Sequence, residues 1–118
     1  MDARIQEKAR ELAGMLRSSE EYRNYLLCRE MLREDPQLYQ KVNDFRRKNF
    51  LLQLEGNHES IYDEMGQLQS EFEPIRRDIK VSGFLRYEHD ICRSIQQIEE
   101  ILLEDLDFDI DFLEDNHG

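Results

Sequence analysis

Tryptophan is absent from this chain, and glycine (five), proline (two) and cysteine (two) are scarce. Long apolar runs are missing as well. Nothing approaches the ~20 consecutive apolar residues of a membrane-spanning helix, so no membrane insertion is expected. Five scattered glycines build no Gly-rich phosphate loop and no nucleophile elbow, and no CxxC pair occurs. Two cysteines, Cys28 and Cys92, are too few for a disulfide scaffold and read as reduced thiols. Met1-Asp2-Ala3-Arg4 opens no secretory signal. Together these absences predict a cytoplasmic, non-enzymatic protein with no bound cofactor.

What is present is charge. Charged residues make up 36% of the 118, against 39% apolar, with a net charge of −11. Seven of the acids (Glu104, Asp105, Asp107, Asp109, Asp111, Glu114 and Asp115) fall at the end, where there is no Lys or Arg. The first 103 residues then hold 20 acids against 16 bases. Affinity for a phosphate backbone comes from Lys and Arg neutralising phosphates, so direct nucleic-acid binding is not expected. The dense basic spots, Arg46-Arg47-Lys48 and Arg76-Arg77, read as solvated helix faces.

Leu, Glu, Arg and Gln dominate, all good helix formers. Ile5, Ala9, Leu12 and Leu16 recur at +4, +3, +4 and predict a helix from about Asp2 to Arg17. Ser18, with Glu21 three residues on, reads as a capping box opening a second helix that ends near Arg33. Tyr22, Tyr25, Leu26, Cys28 and Leu32 give it a broad apolar face, on which Cys28 is expected to be buried and inert. Asp35-Pro36 starts a third helix, because Asp caps well and Pro at the first position loses only an orphan N–H. It carries Leu38, Val42, Phe45 and Leu52 and stops at Gly56-Asn57. From about Glu59, Ile61, Met65, Leu68, Phe72, Ile75 and Ile79 form the most regular stripe, with a kink or break expected near Phe72 because of Pro74. Val81-Ser82-Gly83 reads as an interruption with Ser82 as cap. The last helix carries Phe84, Ile91, Ile95, Ile98 and Leu102.

The expected fold is all-α: an antiparallel bundle of about five long amphipathic helices, one domain over residues 1–103, followed by an acidic tail over 104–118. Narrow stripes on a short chain predict a homodimer. Its interface candidates are Leu68 and Phe72 on the Ile61–Ile79 stripe, or the last helix. Glu88 sits on the apolar seam of that helix. A carboxylate there either lies at the seam's edge, paired with an Arg or Tyr of another helix, or fixes register between helices or subunits.

Metal chemistry finds weak footing. His89 and Cys92 are i, i+3 on one helix, and Cys28 is a possible third ligand, but two ligands do not close a site. Glu55-x-x-His58 spans a glycine and Glu114-x-x-His117 lies in the tail, so neither forms the helical Glu-x-x-His of a di-iron bundle. Asp105, Asp107, Asp109 and Asp111 lack the Gly and Glu of a calcium loop at either register. In the tail, Leu106, Phe108, Ile110 and Phe112 alternate with acids, which suits a disordered peptide docking on a basic groove. Leu102, Leu106, Ile110 and Leu113 also keep helical spacing, so an extension of the last helix is equally compatible.

Ser19-x-Glu21-Tyr22, Asp35-Pro36, Phe45, the Gly56 turn and Tyr87-Glu88 on the closing helix occur in an order that resembles the YlbF/YmcA family, from Ile5 to about Leu103. The resemblance implies small, self-associating, all-helical bacterial proteins of the cytoplasm. They regulate competence, sporulation and biofilm development through protein partners, some within a complex that adjusts RNA processing. It also implies an alternative role as a metal or iron–sulfur sensor, since cluster binding by cysteines has been proposed within that complex. Cys28 and Cys92 are too few to hold a cubane cluster in one chain.

Overall fold

The computed structural model describes residues 1–55, 60–109 and 111–113. Five helices follow one another: α1 (Ala3–Arg17), α2 (Glu20–Arg33), α3 (Pro36–Glu55), α4 (Ile61–Arg76) and α5 (Ile79–Asp105). A single 3₁₀ turn spans Asp111–Leu113, and no strand occurs among the described residues. The all-α expectation is met. The expected stop at Gly56-Asn57, together with His58, lies outside the described residues.

Two helix starts differ from the sequence reading. Ser18 does not cap α2. It ends α1, where its N–H donates to the carbonyls of Gly14 and Met15 at 3.1 and 3.2 Å. The cap is Ser19, whose Oγ accepts from the Tyr22 N–H at 3.2 Å and donates to the Leu16 carbonyl at 2.6 Å. One hydroxyl thus closes one helix and opens the next. Tyr22 now holds the third helical position, so the box with Glu21 does not form. Glu20 and Glu21 instead lie in the first turn, where negative charge meets the positive end of the helix dipole. Replacing Ser19 with Ala should cost about 1 kcal/mol of stability, the usual cost of a lost cap. Ser18→Ala should be nearly neutral, and chemical denaturation of the two variants checks the assignment.

The second difference concerns α5. Val81-Ser82-Gly83 is no interruption. Asp78 caps the helix, its carboxylate accepting from the Lys80 N–H at 2.8 Å. Ser82 lies inside the first turn and donates to the Ile79 carbonyl. Pro74 does not break α4 near Phe72. It falls in the last turn, and the helix ends at Arg76. Few intrahelical bonds remain to be lost so close to the end. The stripe that begins at Ile61 therefore stops at Ile75, and Ile79 belongs to the next helix and is exposed.

The helices form two packed pairs, the α3–α4 hairpin and α2 against α5. In one, Phe45 of α3 stacks on Phe72 of α4, centroids 3.8 Å apart. In the other, Tyr25 of α2 stacks on Phe84 of α5 at 5.3 Å. One turn further along α2, Cys28 faces Gly83 so closely that a β-carbon there would lie 3.2 Å from its Sγ. The absence of that carbon lets α2 and α5 approach. Where the two pairs meet, Leu32, Val42, Phe45, Leu68, Phe72, Val81 and Phe84 form the core. Burying each such side chain is worth roughly 1.5–3 kcal/mol.

That core is small, and the chain around it is thin. The radius of gyration is 18.5 Å, against roughly 13–14 Å for a compact domain of this length. The extents are 46 × 44 × 19 Å, a plate about two helices thick. The accessible surface is 9750 Å², about 3,000 Å² more than a compact monomer of this mass exposes. Helix α1 has no buried residue, and the buried residues of α5 end at Phe84.

Candidate interaction surface

Glu88 does not lie idle on its seam. Its carboxylate accepts from the Arg46 guanidinium of α3 at 2.5 Å. The same guanidinium lies 5.1 Å from the centre of the Phe84 ring, one turn before Glu88. Arg46 is thereby held twice by α5, its face on an aromatic ring and its edge on a carboxylate, while it also donates to Asn43 at 3.1 Å. With Tyr25 stacked on Phe84 and Tyr22 on Tyr25, an aromatic and cationic ladder ties α2, α5 and α3 together. Glu88 thus pairs with an Arg of another helix, one of the alternatives its place on the seam left open.

The basic dipeptide of α4 is used similarly. Arg76 donates to Gln69 at 2.5 Å and lies over the Phe72 ring at 5.7 Å. Of the α3 run, Arg47 and Lys48 are exposed. Arg33 covers the Tyr39 ring, and its hydrogen bond to the phenol holds the Tyr39 pKa below the usual tyrosine value.

Leu68 and Phe72, the interface candidates of α4, lie in the core of the single chain. Leu68 also reaches a shallow groove between α3 and α4, lined with Lys48, Leu51, Leu52 and Glu71. Apolar side chains are left exposed elsewhere: on α1 and the second half of α5, and also on α2 (Leu27, Met31) and at the end of α3 (Phe50, Leu51, Leu54).

The cysteines do not meet. Cys28 is half-buried against Gly83, whereas Cys92 is exposed nine positions further along α5, about 13 Å of helix rise away. His89 is exposed and faces a surface hollow with Arg93, Gln96, Gln97 and Glu100. Among the described residues no three His, Cys, Asp or Glu side chains converge as metal ligands. None of the described helices is long and apolar enough to cross a membrane.

Helix α5 ends at Asp105, and Leu106 turns out of it with an extended backbone. The expected extension of the last helix therefore stops short of Leu106. Leu106, Phe108 and Phe112 are each more than half exposed, and Ile110 lies outside the described residues. Sequence reading named the last helix as an interface candidate but gave α1 no such role, because a stripe looks the same whether or not a neighbour covers it.

The family described as "Control of competence regulator ComK, YlbF/YmcA" matches residues 5–107. Among curated proteins, a UPF0342 protein of Caldicellulosiruptor bescii is 27% identical over 103 residues, covering 85% of this chain and 86% of the relative. A UPF0342 protein of Desulfitobacterium hafniense is 35% identical over 49 residues, covering 42% of this chain and 40% of the relative. No solved structure matches. A match that takes in all five helices, from α1 to the last turn of α5, shows that this chain belongs to the YlbF/YmcA family.

Proposed function

We propose that the protein is a non-enzymatic regulatory adaptor that self-associates and captures a protein partner through its acidic tail. The observation that carries the reading is the exposed segment after α5. Leu106, Phe108 and Phe112 are apolar, uncovered and interleaved with Asp105, Asp107, Asp109 and Asp111. Apolar anchors supply affinity, and the aspartates steer the tail toward a basic surface. The family's description as a regulator and the excess of acids favour a protein partner over RNA itself, so any part in RNA processing is played through a protein. Residues 1–103 then form the folded body and 104–118 the capture peptide.

Truncation after Glu104 tests this. The tail contributes no buried side chain among the described residues, so the melting temperature should stay nearly unchanged. Partner capture from a host lysate, quantified against the full chain, should fall, and by more at low salt than at high, since screening weakens the steering. A sharp drop in melting temperature would make the tail part of the bundle. Unchanged capture would remove it from the interface.

A further inference from the structure

We infer that α1 of one copy packs on the second half of α5 of another, so that two chains exchange these helices around a two-fold axis. The inference rests on the self-association proposed above and specifies how it is made.

The two uncovered faces match in three respects. They match in length: α1 spans 15 residues, and the part of α5 beyond its buried stretch, from Ile91 to Asp105, covers as many. They match in spacing: Ile5, Ala9, Leu12 and Leu16 follow +4, +3, +4, and so do Ile91, Ile95, Ile98 and Leu102. That interval pattern is the same read in either direction, so four apolar layers meet whichever way the helices run. They match in charge: α1 holds Arg4, Lys8, Arg10 and Arg17 against Glu7 and Glu11, whereas distal α5 holds Glu99, Glu100, Glu104 and Asp105 against Arg93. A net positive helix thus faces a net negative one, which favours this pairing over α1 on α1 or α5 on α5.

Both faces are largely open within one chain. Ile5 is 58% exposed, Leu12 37%, Ile95 42% and Leu102 56%, while Leu16, Ile91 and Ile98 are half-buried. The surplus surface of about 3,000 Å² over a compact monomer exceeds the ~800 Å² that each partner contributes to a standard interface. A two-fold axis makes the contact twice, since each chain gives one α1 and receives another.

Exchange of this kind has a signature that other dimers lack. Leu12→Asp damages α1 and Ile95→Asp damages α5, and in either variant's homodimer both contact zones contain a damaged helix. In a mixed dimer, one zone pairs the two damaged helices and the other pairs an intact α1 with an intact α5. Light scattering at micromolar concentration should give the native chain a mass twice 14.3 kDa and each variant a monomer mass. An equimolar mixture should recover dimer, at a higher concentration than the native chain needs.

Circular dichroism of each variant confirms that the helices persist, and Ile5→Asp with Leu102→Asp serves as a second pair at more exposed positions. A native monomer overturns self-association together with this pairing. Variants that remain dimeric, or a mixture that remains monomeric, overturn the exchange alone and leave another dimer standing.

Discussion

Replacing Phe84 with alanine should lower the unfolding free energy by about 3–5 kcal/mol, the usual range for deleting a buried aromatic side chain. Phe84 is 1% exposed and sits where three helices meet. Its ring stacks on Tyr25 from α2 and receives the Arg46 guanidinium from α3. Truncation leaves a cavity and also removes the surface that holds Arg46, so the ion pair with Glu88 should loosen. Phe84→Leu keeps most of the volume and should cost markedly less. Chemical denaturation of both variants, monitored at 222 nm, reads the difference. Equal stabilities of the two variants would mean that the loss comes from the ring's stacking rather than from its bulk.

Leu68→Asp should have an effect of similar size with a distinctive pH dependence. Leu68 is 7% exposed and packed in the core with Phe45 and Phe72. The substitution removes roughly 2 kcal/mol of apolar burial and places an ionisable carboxyl in an apolar setting. Burial favours the neutral acid, so the aspartate's folded pKa should rise above its unfolded value of about 3.9. Relative to the native protein, the variant is then least destabilised below that unfolded value. It loses stability as the pH climbs through the raised folded pKa. Melting temperatures across pH 4 to 7 test the sign, and a difference that stays constant with pH would mean the carboxylate reaches water along the α3–α4 groove.

Much of this architecture is written in the residue pattern. The stripes of α2, α3 and α4 predict the residues that form the core, and Asp35-Pro36 marks the start of α3, where the Asp35 carboxylate accepts from the Leu38 N–H. Two boundaries were misread for local reasons. Ser18 and Ser19 are adjacent and chemically identical, and only the turn geometry assigns one to each helix. Asp78 was passed over because Ser82-Gly83 offers a stronger-looking stop, although an Asp followed by Ile-Lys-Val is itself a sound cap signal. Glu88 was legible as an anomaly, but its partner was not. Arg46 is 42 positions away, and only the crossing of α3 and α5 brings the two together. The tail's chemistry was evident in its composition. Its departure from the helix at Leu106 was not, because its apolar residues satisfy a period of two and a helical period alike.

The single helix α5 carries two very different degrees of protection. From Ile79 to about Asp90 it is clamped by Cys28, Tyr25 and Arg46; from Ile91 to Asp105 its own chain covers it sparsely. In the unassociated chain, amide hydrogens along this one unbroken helix should therefore exchange with solvent at steeply graded rates. Those near Phe84 open only with the whole fold, while those near Leu102 open by fraying. One continuous helix is thus an anchored stem with an arm that only a second chain can cover.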